Sequence, residues 1–288
     1  MPLHRLVRKA RGAVVGLTAR HARLASALAV VAVAFGCAPK AKLIDGPVSE
    51  EVTRGVQQGT ATFDHSELDA LLVAHVDAGA GRVDYEALAS ERPRLDAYLG
   101  RVAAATLPSL SAPELEALLI NAYNAYTISL MLDHLGEVTS IREIDDPWGA
   151  KRYTFGGHTV SLDDLEHGLL RPIFKDPRVH FAVNCASIGC PPLRAGAYTG
   201  VEVDAQLEAA TRRTLSDERY ARWEGGALAL TRIMNWYGED FTREGWSPRS
   251  GSVAGFVKRY ARADLAAKLE EGTSVTWLEY DWAANTSR

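Results

Sequence analysis

Two cysteines stand five residues apart in the segment 178–193, which reads RVHFAVNCASIGCPPL. A cysteine attacks as its thiolate, and an unperturbed thiol has a pKa of about 8.5, so a nucleophilic Cys185 needs a nearby base or positive field. The nearest candidate bases in the sequence are His180, in the same segment, and His167, which follows Glu166. These residue types predict a thiol nucleophile at Cys185, a histidine that takes its proton and Glu166 to orient the imidazole.

The attacked group would be the carbonyl of an amide or a thioester, which makes the chain a candidate cysteine hydrolase or acyl transferase. Asn121 and Asn124 are three residues apart and share a helix face, so their side-chain amides are candidate donors to the developing oxyanion. No base is singled out by the sequence, because an ideal strand places His180 on the opposite face from Cys185.

Two other interpretations of the cysteines stay open. Cys185 and Cys190 can form a structural disulfide in a non-catalytic module that binds a peptide, a glycan or a partner protein. They can also act as a thiol–disulfide redox pair, and an easily reduced bond is then expected. A zinc site built from these cysteines with His167 and His180 matches no closed ligand spacing, so we expect no metal.

Familiar cofactor and hydrolase motifs are absent from the sequence. It contains no phosphate loop ending in GK[ST], no G-x-G-x-x-G, no H-E-x-x-H, no G-x-S-x-G and no C-x-x-C. We therefore expect no bound cofactor, and neither a nucleotide enzyme nor a serine hydrolase is indicated.

The charge distribution argues against a nucleic-acid partner. Six of the 32 basic residues and none of the 36 acidic residues lie within 1–36, which leaves the remainder of the chain with a formal net charge of −10. An acidic surface repels phosphate, so nucleic acid is not an expected partner.

The N-terminus carries the pattern of an export signal. A cationic stretch precedes the uncharged run 24–35, LASALAVVAVAF, which is too short to span a bilayer and fits the apolar region of a signal peptide. Small residues then precede Cys37, as in the lipobox of bacterial lipoproteins, although Ala34 stands where Leu is usual. We predict a signal peptide at 1–36 and lipidation of Cys37, with the membrane as partner and the outer membrane favoured because Ala38 is not Asp.

The remaining chain is predicted to be an α+β fold, a mainly helical single domain at 63–284 with a small antiparallel sheet, after a flexible tether at 37–62. The clearest helix begins near Ser111, where Glu114 completes a capping-box pattern. Gly156-Gly157 predicts a tight hairpin, and alternation over Val179–Cys185 predicts a strand.

Several blocks resemble the domain of unknown function 547 family, and together they span about 65–284. They are Leu119–Ala125 (LINAYNA), Ser161–His167 with Leu170-Arg171, His180–Cys185 through Cys190–Leu193, Trp236–Phe241 and Tyr280–Trp282. In that family the first cysteine recurs more widely than the second. The resemblance therefore favours Cys185 as the working residue and implies a functional cleft that includes Glu166, His167, His180 and the Asn121/Asn124 pair.

Overall fold

The computed structural model describes residues 39–287, which form a mainly helical α+β domain as the sequence predicts. Its described part contains eleven α-helices: α1 (Pro47–Gln58), α2 (Ser66–His75), α3 (Tyr85–Ala89), α4 (Arg92–Ala103), α5 (Ala112–Asp133), α6 (Arg171–Phe174), α7 (Val203–Leu215), α8 (Ile233–Trp236), α9 (Gly238–Thr242), α10 (Val253–Tyr260) and α11 (Ala263–Ala266). Among these residues no helix is long and apolar enough to cross a membrane.

Helix α5 is the centre of the molecule. From Ala117 onward its sequence is mostly small or apolar, and every residue between Ala117 and Met131 is buried. A helix that is apolar on all sides is stable only when it is surrounded by other elements. Helices α1, α4 and α7 and the π-helical segment Asp164–Leu170 provide that surround.

Between residues 39 and 287, five short strands form two sheets. Strands β1 (Tyr153–Phe155) and β2 (His158–Val160) make the predicted antiparallel hairpin, with Phe155 opposite His158 across the Gly-Gly turn. Both glycines have positive φ, 56° and 83°, which the two-residue turn requires. Strands β3 (Ala221–Glu224), β4 (Ala227–Leu230) and β5 (Val275–Trp277) form the second sheet.

The second sheet differs from the prediction of antiparallel pairing. Strand β4 pairs antiparallel with β3 across a second Gly-Gly turn but parallel with β5, so this sheet is mixed. The connection from β4 to β5 contains helices α8 to α11, and a long connection of this kind permits a parallel partner. The sheet packs with Phe181, Phe241 and Phe256 in a core separate from that of α5.

The strand predicted at Val179–Cys185 is wrong, because Pro177–Phe181 forms a 3-10 helix. Asp176 begins it by accepting a hydrogen bond from the main-chain N–H of Arg178. All five residues from Val179 to Val183 are buried, so their apolar alternation does not separate an inner face from an outer one.

The flexible tether predicted at 37–62 is also wrong over its described part. Helix α1 occupies Pro47–Gln58 and buries Val48 and Val52 against the domain. A Cβ at Gly55 would lie 2.5 Å from Leu107 O, so glycine allows the close approach of α1 to the segment before α5. The remaining predictions for residues 1–38, including the signal peptide and lipidation of Cys37, lie outside the described residues.

Candidate functional site

The two cysteines of the segment 178–193 meet in one loop. Cys185 is half-buried and Cys190 is buried, both are free, and their Sγ atoms lie 2.7 Å apart. The main-chain N–H of Cys185 donates a hydrogen bond to Cys190 Sγ at 3.0 Å. The sequence singled out these two residues, and the fold makes them a contacting pair of thiols.

A tyrosine far along the chain contacts both sulfurs. Tyr280 Oη lies 3.2 Å from Cys185 Sγ and 3.1 Å from Cys190 Sγ, and Ser187 Oγ lies 3.5 Å from Cys185 Sγ. Burial and the neighbouring cysteines hold the pKa of Tyr280 well above its usual value, so its hydroxyl remains a donor. Sequence reasoning placed Tyr280 within a family block but gave it no role.

These donors make the two thiols unequal. The hydrogen bond between Cys185 and Cys190, together with those to Tyr280 and Ser187, lowers the pKa of Cys185 to about 7 against the opposing effect of burial. Burial and the adjacent Cys185 raise the pKa of Cys190. Near neutral pH the more exposed sulfur is therefore the better thiolate, which is the form that attacks.

Asparagines hold the cysteine loop in place. Asn184 Nδ2 donates to Pro191 O at 2.8 Å, and Asn184 Oδ1 accepts hydrogen bonds from Ala186 N–H and from Asn285 Nδ2. Ala186, directly after Cys185, has φ +60°, a conformation that costs a non-glycine residue roughly 1–3 kcal/mol. The surrounding hydrogen bonds hold this bend, which turns the chain sharply beside the sulfur.

Asn121 and Asn124 use their amides to position main chain. Asn124 Nδ2 donates to Ala182 O and its Oδ1 accepts from Asn184 N–H, while Asn121 bonds both the N–H and the C=O of Tyr198. Both side chains are buried. The geometry therefore assigns them to loop positioning, in place of the predicted donation to an oxyanion.

The predicted cysteine–histidine dyad is not formed in the described structure. The hydrogen-bond partners of Cys185 Sγ are Cys190, Tyr280 and Ser187, and none is an imidazole. His180 Nε2 lies 2.8 Å from Asp240 Oδ2, and Arg171 Nη1 donates to His167 Nδ1 at 2.8 Å. His180 is engaged elsewhere because it lies in the 3-10 helix, where its ring packs against Phe241 of α9, and His167 lies in the π-helical segment beside Arg171.

Those histidines belong to a buried group of charged residues that we call the Glu166 cluster: Glu166, His167, Arg171, His180 and Asp240. Arg171 donates to Asp240 Oδ2 at 2.8 Å, and Glu166 Oε1 stands 3.7 Å from His180 Nδ1. His180 Nδ1 is buried and has no hydrogen-bond partner. Burial opposes ionisation of Glu166, but His167, His180 and Arg171 outweigh it and lower its pKa to about 2.

The Glu166 cluster lies within electrostatic range of the thiols. The carboxylate of Glu166 partly opposes the lowering of the pKa of Cys185. Burial raises the pKa of Tyr123 and of Tyr237, and both Glu166 and Cys185 add to that rise. Tyr237 stacks on His180 with ring centroids 4.2 Å apart. The residues predicted from the sequence thus fall into two adjacent groups, the thiol pair and the Glu166 cluster. Asp240 and Tyr237 contact His180 of that cluster, although the sequence predicted no role for them.

A second buried group, the His65 cluster, comprises His65, Tyr98, Glu114 and Asn121. His65 Nδ1 is contacted by Tyr98 Oη and Asn121 Nδ2, while Nε2 lies 2.9 Å from Glu114 Oε1. This set of partners assigns a neutral imidazole with its proton on Nε2. Desolvation lowers the pKa of His65 to about 4. Sequence reasoning missed His65, which no motif marks.

The crevice beside the thiols is small, and few metal-ligating side chains surround it. A crevice lined by Asn184, Ser187 and Cys190 has a volume of about 10 Å³, room for about one water molecule. A Cβ at Gly81 would lie 2.4 Å from Leu193 N, so the neighbouring turn closes tightly on the cysteine loop. In the described part of the chain, no group of three or more His, Cys, Asp or Glu side chains is placed to hold a metal ion.

The fold and this site define a mainly helical α+β protein with a contacting pair of unequal thiols. Residues 107–215, which include α5, the Glu-His pair and both cysteines, match the family described as "Protein of unknown function, DUF547". This stretch of the chain therefore resembles that family, in agreement with the sequence blocks. No curated protein and no solved structure matches it.

Proposed function

We propose that the chain is a thiol–disulfide exchange protein in which Cys185 attacks and Cys190 resolves. The single observation that carries the proposal is the 2.7 Å contact between a half-buried sulfur of lowered pKa and a buried sulfur of raised pKa. A pair with this asymmetry supports a defined order of attack, because a thiolate must be both accessible and deprotonated to react. We favour exchange over the cysteine hydrolase because no imidazole lies within hydrogen-bond distance of Cys185 Sγ to take its proton. We favour it over structural cysteines because the two thiols differ in exposure and pKa.

The proposed reaction transfers two electrons to a substrate disulfide. Cys185 thiolate attacks one sulfur of the substrate, forming a mixed disulfide and releasing the other substrate sulfur as a thiolate that takes a proton from solvent. Cys190 then loses its proton and attacks Cys185 Sγ. This step closes the Cys185–Cys190 disulfide and releases the second substrate thiolate, so the substrate is reduced as the protein is oxidised.

The proposal is tested by trapping the mixed disulfide in the full-length chain carrying Cys37→Ser, which leaves only the two thiols of the loop. With glutathione disulfide at pH 7, Cys190→Ser is expected to accumulate a stable adduct at Cys185, because the resolving sulfur is gone. Cys185→Ser is the matched control and is expected to react roughly tenfold more slowly, since its remaining thiol is buried and protonated. Intact-mass measurement distinguishes the adducts.

Two outcomes contradict the exchange mechanism. Equal adduct formation by both single variants would show that the sulfurs have no fixed order. A Cys185–Cys190 disulfide that resists mild reductant in the unmodified protein would instead favour structural cysteines in a non-catalytic binding module.

Removing the Tyr280 hydroxyl tests whether it lowers the pKa of Cys185. Tyr280→Phe removes a hydrogen bond to Cys185 Sγ, so we expect the midpoint of alkylation against pH to move above about 7 and the rate at pH 6.5 to fall several-fold. Tyr220→Phe is the matched control, because the hydroxyl of Tyr220 donates to the main-chain oxygen of Cys190 and not to a sulfur. An unchanged profile for Tyr280→Phe would exclude the tyrosine as a source of activation.

Acyl transfer is the second candidate function. It is favoured by the hydroxyls of Tyr280 and Ser187, which lie near the sulfur where an oxyanion would form on an attacked amide or thioester carbonyl. The two reactions separate in Cys190→Ser, which would stall exchange after one adduct but continue to turn over a thioester. Release of acid product by Cys190→Ser and its absence in Cys185→Ser would favour the hydrolase.

We also propose that the protein is an envelope lipoprotein anchored through Cys37, with the outer membrane favoured. The support is the cationic stretch, the uncharged run 24–35 and the small residues before Cys37. Labelling of cells with a palmitate analogue is expected to mark the wild-type chain and not Cys37→Ser. Equal labelling of both would exclude this anchor.

A further inference from the structure

The segment 39–46, which we call the strap, is docked on the π-helical segment that carries the Glu-His pair. Lys42 N–H donates to His167 O at 3.1 Å, and Ile44 N–H donates to Gly168 O at 3.1 Å. At the start of the strap, Arg171 Nη1 donates to Pro39 O at 2.8 Å. These hydrogen bonds are spread along the strap, so it follows the surface of the domain from its first described residue.

The docking depends on a glycine in the π-helical segment. A Cβ at residue 168 would lie 2.6 Å from Ile44 Cγ2, so a larger residue there requires the Ile44 side chain or the strap to shift. The side chains of the strap that are exposed, which we call its outward side, include Lys40, Lys42, Leu43 and Asp45, with Leu43 at 42%. The part nearest Pro39 therefore offers two cations and a leucine to its surroundings.

We propose that this outward side of the strap rests on the headgroups of the bilayer in which the N-terminus is anchored. The inference rests on the proposed lipidation of Cys37. Only Ala38 separates Cys37 from the docked Pro39, and two residues of chain reach at most about 7 Å. That length is comparable to the headgroup layer, so a docked Pro39 brings the strap to the membrane surface.

The chemistry of the strap fits this one occupant. Lysines close to a membrane are attracted by anionic headgroups, and a leucine beside them can enter the boundary with the acyl chains. Asp45, the only acidic residue of the strap, lies at the end away from Cys37. An uncleaved anchor leads to the same surface, because the apolar run 24–35 ends four residues before Pro39. The π-helical face of the domain, with the Glu166 cluster beneath it, therefore turns toward the bilayer.

The test measures acylation of individual lysines by a membrane-impermeant reagent. The lipidated chain, which begins at Cys37 after removal of the signal peptide, is bound to vesicles of phosphatidylethanolamine and phosphatidylglycerol and is then labelled and mapped by mass spectrometry. We expect Lys40 and Lys42 to react several-fold more slowly than Lys268, an exposed lysine on a different part of the fold. A ten-residue Gly/Ser spacer between Ala38 and Pro39 is expected to abolish that protection while the protein stays bound.

The same spacer placed between Gly225 and Gly226 is the matched control, because a Cβ at either glycine meets nothing within 4 Å. This control should leave Lys40 and Lys42 protected. Equal reactivity of all three lysines in the bound wild type, or protection that survives the first spacer, would overturn the proposal. Flotation of the vesicles reports anchorage separately: a chain that does not float refutes the proposed lipidation and the membrane-facing strap with it, whereas a chain that floats with unprotected lysines refutes the strap proposal alone.

Docking of the strap has its own test. Gly168→Ala is expected to unseat Ile44 and to speed tryptic cleavage after Lys42 several-fold, while Gly100→Ala, with open space at its Cβ, leaves cleavage unchanged. Equal cleavage of the wild type and Gly168→Ala would show that the strap is not held on the domain, and the proposal would fail.

Discussion

The two buried histidine clusters differ in how completely their polar atoms are paired. In the His65 cluster both ring nitrogens have hydrogen-bond partners, and the imidazole is neutral. The Glu166 cluster combines Arg171 with two carboxylates and leaves His180 Nδ1 buried without a hydrogen bond. Buried polar groups are rarely left unpaired, so the incomplete cluster is the better candidate for a working role. It is also the cluster that influences Cys185.

The largest effect is expected from breaking the charge balance of the Glu166 cluster. Arg171→Met removes the partner of Asp240 and leaves a buried carboxylate less compensated, which should lower the free energy of unfolding by about 3–5 kcal/mol. Arg92→Met is the matched control, since its ion pairs with Asp96 and Asp133 are exposed and worth less than about 1 kcal/mol. Urea unfolding measures both. A similar loss of unfolding free energy in Arg171→Met and Arg92→Met would contradict the expectation that the buried ion pair matters more to stability than the exposed ones.

The His65 cluster should instead make the free energy of unfolding depend on pH. The pKa of His65 is about 4 in the folded protein and 6.5 when unfolded, so the unfolded chain binds the proton first as pH falls. The resulting stability is complete above about pH 6.5 and is lost toward pH 4. Glu114, whose pKa is raised chiefly by burial, offsets part of this dependence, because its stability contribution grows as pH falls.

We therefore expect His65→Gln to reduce the loss of unfolding free energy between pH 7 and pH 5 by on the order of 1 kcal/mol. His134→Gln, at a more exposed histidine, is the control and should keep the wild-type dependence. The measurement is urea unfolding at three pH values. A parallel dependence in wild type and His65→Gln would contradict the assignment of a neutral, buried imidazole.

The smallest effect concerns the link between the Glu166 cluster and the thiols. Removing the negative charge with Glu166→Gln should lower the pKa of Cys185, with a shift of less than about one pH unit. Glu114→Gln makes the same change in the His65 cluster and should leave the alkylation profile unchanged. Identical profiles for both variants would show that the two clusters are equally remote from the reactive sulfur.

Local patterns were sufficient to predict the elements with strong sequence signals. The long helix near Ser111 and the hairpin at Gly156-Gly157 are confirmed, since continuous apolar sequence and paired glycines act over short distances. The capping box is wrong, because Glu114 does not pair with Ser111 and instead contacts His65, 49 residues away. Side-chain partners chosen by tertiary packing leave no mark in the local pattern.

The candidate site likewise contains residues that the local sequence could predict and distant partners that it could not. The importance of the segment 178–193 followed from its two cysteines, and their contact agrees with the redox interpretation. The tyrosine that touches both sulfurs lies 95 residues from Cys185, and Asn285 lies 101 residues from Asn184. Such partners come together only through the complete fold, so a sequence pattern could single out the two cysteines but not the residues that contact and position them.

The positive φ of Ala186 lowers the folding stability of this loop but restricts the orientation of the preceding cysteine. Glycine at this position would adopt the bend at little cost, so a more stable molecule lies one substitution away. The same freedom would let the neighbouring sulfur sample orientations away from its partners. Alanine is the stiffer choice, because its restricted backbone holds Cys185 Sγ in its present orientation beside Cys190 and Tyr280.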